Sequence, residues 1–459
     1  LTFHPFYEYI SCFLSSLTAT PAGIRRSQRS TLEFSLKIQA INGFKDILPD
    51  TAVRWRHIEQ RARDIFERFG MREIRLPIME KTELFVRSIG EATDVVEKEM
   101  YTFVDKGQTM RPEATASIMR AFIEHGLHVQ QPVQRLYTIG PMFRHERPQK
   151  GRLRQFHQLD AEIIGAVEAR VDAELIAMGQ MLLDELGLAV SLEINSLGCP
   201  VCRPPFKAGL VAFLEQRHEG LCEDCKRRTH TNPLRVLDCK KPTCRALVEN
   251  APSLLDALCP DCDRHFREVQ EALQSLDIAF KINPFMVRGL DYYTRTTFEF
   301  LTSDLGAQAA VGAGGRYDGL IEQLGGPALS GIGFAMGLER IALLMEQQSD
   351  TPQPADAMDI FLAALGDKTL APCGQLAHLL RKQGLRAAID YSGRGLKAQL
   401  KQAGRVNARF TLIVGDDEWD RQQGILRNMA TQEQQPFDLG GTPEQQSLRL
   451  RGLVQPTTN

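Results

Sequence analysis

Across residues 49–70, apolar side chains recur at Val53, Trp55, Ile58, Ile65, Phe66 and Phe69, close to the spacing that gathers them on one side of a helix. Asp50 or Thr51 reads as its N-cap and Gly70 as its stop. The period then drops to two. Ile74 and Leu76 alternate over 72–78, and Pro77 confines that strand to an edge or an interface. Residues 133–144 and 154–165 alternate in the same way (Val133, Leu136, Ile139, then Phe156, Leu159, Ile163), as two antiparallel strands joined by a long loop would. Farther on, "MVRGLDYYTRTTFEF" ends in a β-branched strand. "SGIGFAMGLERIALLME" is a glycine-punctuated strand running into a helix whose Leu338, Ile341 and Leu343 are apolar.

After Leu343 the pattern lapses into "EQQSDTPQPADAM", a linker by its Pro, Ser and Gln content. Three short apolar runs follow, 359–365, 385–391 and 408–415, separated by helical stretches at 370–384 and 395–404; this predicts a parallel α/β sheet. The first 36 residues differ from all of this. They are aromatic, Ser/Thr-rich and basic, but Glu8 and Glu33 interrupt them and no amphipathic helix emerges, so an over-extended start that packs against nothing is expected rather than a transit peptide.

Composition bounds the function. A chain of 459 residues, 43% apolar and 24% charged, has room for two or three domains with real cores. No window holds the 18 or more apolar residues of a membrane span, so a soluble, cytoplasmic protein is expected. A net charge of -2 argues against a wholly cationic surface, and any polyanion must be met by local patches. One such patch is "FRHERPQKGRLRQF", where Arg144, Arg147, Lys150, Arg152 and Arg154 face a single acid, Glu146. Arg144, on the strand side of the loop, is placed to contact a phosphate with two parallel hydrogen bonds, while Arg147, Lys150 and Arg152 are placed to follow a longer, more mobile polyanion. Arg288, beside Gly289, and Arg340, on the last apolar helix, are two further arginines suited to a nucleotide.

"FRHE" in a long-looped hairpin, "GFAMGLER" and the helix–strand–proline element before them resemble the three signature motifs of class II aminoacyl-tRNA synthetases. "RPEATA", "RGLDYYTRTTFE" and "AGGRYDGL" narrow the resemblance to bacterial-type histidyl-tRNA synthetases, from about Lys37 to the C-terminus. The resemblance implies an α+β catalytic core built on an antiparallel sheet in two parts, 37–197 and 273–345. It also implies a small helical insertion at 198–272 that approaches the tRNA acceptor stem, a linker at 346–356 and a C-terminal anticodon-binding α/β domain at 357–459. It implies activation of L-histidine with ATP and Mg2+, transfer to the 3′ end of tRNA(His), and a homodimer with the first motif at its interface. By position in the motifs, Arg144 holds the α-phosphate, Arg288 faces it, and Arg340 lies near adenine and the γ-phosphate, with Glu146 also on ATP. Arg147, Gln149 and Arg152 meet the tRNA acceptor end. Glu113, Thr115 and Gln158 take the histidine ammonium, Glu162 and Tyr293 the ring nitrogens, and Tyr292 and Tyr317 line the pocket. A site built on buried hydrogen bonds to both ring nitrogens rejects analogues that leave them unpaired. Ala114 replaces the family's usual Gly, and the span from Phe103 to Arg111 is short, which implies a tighter turn before the pocket.

Eight of the ten cysteines form four doublets in the insertion: Cys199/Cys202, Cys222/Cys225, Cys239/Cys244 and Cys259/Cys262. Three have the two-residue spacing that points two thiolates at one ion, and disulfides are disfavoured in the cytosol, so one or two structural Zn2+ ions are expected. Four doublets combine into two sites in three ways, and spacing does not choose among them. The basic helical stretch "CKRRTHTNPLRVLDCKK" is suited to phosphate contact, and Lys397, Lys401 and Arg405 repeat along one side of the helix at 395–404. Two other readings remain. A non-catalytic synthetase-like regulatory subunit of ATP phosphoribosyltransferase is expected to lack the anticodon domain and parts of the motifs. A nucleic-acid-binding module without chemistry leaves the histidine-pocket residues unexplained.

Overall fold

Pro49 at the first helical position, rather than a side-chain cap, starts the helix Pro49–Arg68. Leu48 is the extended N-cap with no capping hydrogen bond, and Asp50 lies inside the first turn. Proline's fixed φ and missing N–H suit that position, which corrects the expected cap at Asp50 or Thr51. The helix buries Trp55, Ile58, Ala62, Ile65 and Phe66.

A computed structural model describes residues 38–90, 93, 95–304, 310–348 and 357–455; the expected leader lies outside them, as do residues 349–356 of the expected linker, whose first two residues, Glu346 and Gln347, belong to a helix instead. Contacts divide the chain into Leu1–Ile41, of which only the exposed residues 38–41 are described, and Asn42–Asn459, to which everything below belongs.

The strands are β1 (Arg72–Glu73), β2 (Met79–Lys81), β3 (Tyr101–Phe103), β4 (Gln108–Met110), β5 (Gln134–Phe143), β6 (Gln155–Ile164), β7 (Ser191–Ser196), β8 (Phe280–Ile282), β9 (Thr294–Leu301), β10 (Ala310–Arg316) and β11 (Gly331–Gly337). Eight of them form one sheet in the order β1-β5-β6-β11-β10-β9-β7-β8, antiparallel throughout except at its rims, where β1 joins β5 and β8 joins β7 in parallel. The strand expected over 72–78 pairs only at Arg72 and Glu73. The hairpin β5–β6 runs from Gln134↔Ile164 to Phe143↔Gln155, so the basic loop is its connection.

Alternation along β6 divides the sheet into two faces. Leu159, Ala161 and Ile163 enter the main core with Phe66, Leu182, Phe298, Phe300 and Ile341, under the helices Pro49–Arg68, Ala169–Glu185, Pro260–Ser275 and Leu338–Gln347. Truncating a fully buried side chain such as Phe66 there costs about 3–5 kcal/mol. Gln158, Asp160 and Glu162 face the other way, into the site.

Between β7 and the helix Pro260–Ser275 the chain makes the short helices Arg203–Glu215, Glu223–Thr231, Leu234–Leu237 and Pro242–Val248. They carry a separate core of Phe206, Leu210, Leu214 and Val236 with buried Cys202, Cys225, Cys239, Cys244 and Cys262. The C-terminal strands are β12 (Ile360–Leu365), β13 (Ala387–Ile389), β14 (Phe410–Gly415), β15 (Gln423–Asn428) and β16 (Gln434–Asp438), in the order β13-β12-β14-β15-β16. The first three are parallel, as expected; β15 and β16 add antiparallel pairs, so the sheet is mixed rather than parallel. Lys397, Lys401 and Arg405 are exposed on the helix Leu396–Arg405.

Candidate active site

A cavity of ≈ 1150 Å³ opens on the face of the sheet opposite the main core. Its walls bring together Glu113, Thr115, Arg144, Glu146, Arg152, Gln158, Glu162, Arg288, Tyr292, Tyr293, Tyr317 and Arg340, drawn from across the chain. Arg147 and Gln149 lie outside it, on the exposed tip of the basic loop, where Gln149 and Arg152 exchange backbone hydrogen bonds.

Glu162 is the floor. One carboxylate oxygen accepts from the Thr115 hydroxyl at 2.6 Å and the other from the Tyr317 hydroxyl at 2.6 Å. Burial pushes its carboxyl up to about 8, against the pull of those two hydroxyls. The strand opposite must be glycine here, because a Cβ on Gly333 would lie 1.6 Å from a Glu162 oxygen and one on Gly331 would enter the Tyr317 ring. The glycine punctuation of β11 is thus the space in which the floor sits. Tyr292 and Tyr293 pack with their rings tilted at 46° and 4.6 Å between centres, with Tyr317 edge-on to Tyr292 at 6.0 Å.

Glu113 has a structural duty as well. Its oxygens accept from the backbone N–H groups of Thr115 (2.8 Å) and Ala116 (2.9 Å), closing the start of the helix Thr115–Glu124, whose N-cap Ala114 is fully buried. The short span before it is the hairpin β3–β4, turned through Gly107. Two buried acceptors, Gln158 Oε1 and Asp160 Oδ2, have no hydrogen-bond partner among the described residues although their residues line the cavity. Burial, then the nearby Glu162 and Glu113, raise the Asp160 carboxyl well above the usual range. Asp160 was not singled out from the sequence. Its signal is the run Gln158, Asp160, Glu162, polar at every second position of a strand and therefore marking a polar, enclosed face.

The same cavity carries a group of cations. Arg144 donates through Nε to the Pro112 carbonyl at 2.9 Å and lies 5.3 Å from the Phe156 ring centre. Arg340 donates to the carbonyls of Gly151 (3.3 Å) and Ala310 (2.5 Å). Burial, then Arg152 and Arg144, pull Arg340 below the ordinary guanidinium value, the mark of three cations drawn to one region. Arg288 donates to Glu299 at 2.5 Å, and its buried Nε has no partner among the described residues. Glu146 and Arg152, which the sequence reading assigns to ATP and to the tRNA end, form an ion pair with each other. A second network escaped the sequence reading. Arg316, fully buried, donates to both Asp172 oxygens and to the Ala166 carbonyl, and His265 Nε2 lies 2.9 Å from Asp172 Oδ2. It anchors the residue before Tyr317 to the helices Ala169–Glu185 and Pro260–Ser275.

The insertion closes one side of the cavity with Arg235, Lys240 and Arg245. Its cysteines gather as Cys199/Cys202/Cys259/Cys262 and Cys222/Cys225/Cys239/Cys244, with all sulfurs of each group within 4.8 Å of one another. The pairing is thus outer doublet with outer and inner with inner. Cys199 Sγ lies 3.6 Å from Cys202 Sγ and 3.8 Å from Cys259 Sγ. The edge of a tetrahedron with metal–sulfur bonds of 2.3 Å is about 3.8 Å, so the donor set and its spacing fit zinc.

The sequence pattern described as "Histidyl-tRNA synthetase" matches residues 43–199 and 240–341, and that of an "Anticodon binding domain" matches 359–444. A histidine–tRNA ligase of Desulfotalea psychrophila is 60% identical over 401 residues, covering 87% of this chain and 93% of that protein. One from Geobacter sulfurreducens is 53% identical over 417 residues, 90% of this chain and 100% of that protein. The crystal structure of apo S. aureus histidyl-tRNA synthetase superposes with a TM-score of 0.74 at 36% identity, covering 91% of this chain and 98% of that one.

Proposed function

Because the chain belongs to the histidyl-tRNA synthetase family and acts as a histidine–tRNA ligase, we propose that the cavity floored by Glu162 carries both half-reactions with the following division of labour. The histidine carboxylate oxygen attacks the α-phosphorus of ATP, brought in as its magnesium complex; the new O–P bond forms as the bond to the β-phosphate bridging oxygen breaks and pyrophosphate leaves. A hydroxyl of the terminal ribose of tRNA(His) then attacks the histidyl carbonyl and AMP leaves. The observation that carries this assignment is the lining of the cavity: buried acceptors without a partner among the described residues, Gln158 Oε1 and Asp160 Oδ2, share it with Arg144, Arg288 and Arg340.

Glu113, Gln158 and Thr115 orient the ammonium. Glu162 and Tyr293 take the imidazole, with Tyr292 and Tyr317 enclosing it. Preorganised cations aimed at the transferring phosphoryl supply stabilisation that grows as charge develops there, and Arg144 and Arg288 serve that end while Arg340 holds the nucleotide. Glu146 braces Arg152 at the cavity rim, and the exposed Arg147 and Gln149 lie where an acceptor end would enter. The two cysteine groups hold structural zinc. Residues 37–197 and 273–345 act as the core, 198–272 as the insertion and 357–459 as the anticodon-binding domain, where Lys397, Lys401 and Arg405 meet phosphates. A homodimer in the cytoplasm completes the reading. Apolar Ile47, Leu48 and Ile78, exposed about the first helix and Pro77, support a covered face, and no helix among the described residues is long and apolar enough to cross a membrane. The regulatory-subunit alternative gives way to the identities with histidine–tRNA ligases.

The test is to mix the chain with L-histidine and α-labelled ATP without tRNA. Labelled adenylate bound to the protein is expected, and its absence with folded protein sinks the assignment. Sedimentation at micromolar concentration checks the dimer, which a fully active monomer would contradict.

A further inference from the structure

The insertion leaves the core through Leu197 and Gly198. Gly198 has φ +59, and a Cβ there would lie 3.0 Å from the Cys202 Cβ, so the turn that starts the outer cysteine group needs glycine. Cys259 seals the same point from the returning chain, its N–H donating to Cys202 Sγ at 3.1 Å. Immediately after Cys202, Arg203 donates through Nε to the Leu197 carbonyl at 2.8 Å and through Nη2 to the carbonyl of Tyr293. The strand leaving Tyr293 is held there too: Leu197 N–H donates to the Arg295 carbonyl at 2.7 Å, and Arg295 N–H to the Gly198 carbonyl at 2.8 Å. Arg295 has φ +48, a left-handed conformation that an arginine keeps only where its surroundings over-determine it. Those surroundings are the neck of the cysteine group. The inner group's side of the insertion meets the same loop through the exposed hydrogen bond from Asn232 to Asp291 and through apolar packing of Val287, whereas the Tyr293 and Arg295 backbone is bonded from the neck of the outer group.

We propose that the outer group, Cys199, Cys202, Cys259 and Cys262, is a zinc centre that positions the histidine pocket, acting through Arg203 on the Tyr293 carbonyl. The proposal rests on the reading of Tyr293 as a histidine contact and of the cysteine groups as zinc sites. Zinc would be held by four thiolates and would supply no chemistry to the reaction. What it supplies is a fixed neck, because ligands sixty residues apart are assembled only when the insertion folds. Arg203 is a positioning residue: it touches backbone and no reacting atom.

The experiment measures bound zinc per full-length chain, and KM for histidine and for ATP in pyrophosphate exchange, for the parent and for C199S/C202S, C222S/C225S, R203M and R203K. The parent holds two zinc ions and each cysteine variant loses one. KM for histidine rises about tenfold in R203M and in C199S/C202S, the scale of one charge-assisted hydrogen bond, and KM for ATP changes by less than about twofold. R203M keeps both zinc ions, R203K recovers part of the affinity, and C222S/C225S moves KM for histidine less. An unmoved KM for histidine in R203M, or an equal rise in C222S/C225S, overturns the neck role while leaving the zinc reading intact. A parent without zinc overturns the zinc reading itself. If C199S/C202S fails to fold, R203M, which alters no thiol, decides the question.

Discussion

Replacing Arg288 by alanine has two separable consequences. The side chain is 16% exposed, its Nη1 lies 2.5 Å from Glu299 Oε1, and its guanidinium sits 5.3 Å from the Tyr293 ring centre. Losing a preorganised donor to the charge developing on the phosphoryl group slows catalysis by about 100-fold, or about 2.7 kcal/mol. The second consequence concerns Glu299. With its partner gone, a carboxylate is left facing the phosphates, and two like charges about 5 Å apart repel by roughly 1–3 kcal/mol once cavity water has screened them. The single variant should therefore lose about 1,000-fold or more in kcat/KM for histidine-dependent pyrophosphate exchange. Adding Glu299→Gln should recover about tenfold, because only the second term is relieved. Arg288→His should restore little, since the shorter ring does not span two oxygens. Exchange within a few fold of the parent refutes the phosphate role of Arg288, and a double variant no faster than the single refutes the part assigned to Glu299.

Glu162→Gln should weaken discrimination of histidine from other amino acids, and unchanged selectivity would move Glu162 out of the pocket. With the folded carboxyl raised to about 8 from 4.5 by burial, the wild type is unpenalised below 4.5 and loses stability as pH rises toward 8. The difference in Tm should shift in favour of the Gln variant between pH 5 and 8, and a constant difference contradicts the buried acid. Cys222→Ser with Cys225→Ser should impair tRNA charging more than pyrophosphate exchange, because the inner group lies on the Arg235, Lys240 and Arg245 side of the cavity; equal losses in the two assays count against it. Asp172→Ala strands fully buried Arg316 and should cost about 3–5 kcal/mol in urea unfolding, whereas a loss under about 1 kcal/mol would show that Arg316 finds another partner.

Legibility in the sequence followed the range of the interaction. The first helix and the hairpin β5–β6 were readable because period and burial are local; the residues named from short motifs, Glu113, Thr115, Gln158, Glu162, Tyr292, Tyr293 and Tyr317, line one cavity. The cap failed because Pro49 outranks a polar side chain one residue later. Strands β15 and β16 escaped because "QGILRN" and "QQPFD" are short and carry little apolar alternation, and β16 is the edge of the sheet. The cysteine pairing, the Arg316–Asp172–His265 network and the Arg203–Tyr293 bond join residues tens to more than a hundred positions apart, and only the topology brings them together. Asp160 was within reach of the strand period.

The most direct test of the account is ATP–pyrophosphate exchange with each of the twenty amino acids in turn, in the absence of tRNA. Exchange supported by histidine, far above any other amino acid and abolished without ATP, is the result the cavity predicts. No exchange with histidine from folded protein, or equal exchange with several amino acids, would contradict it.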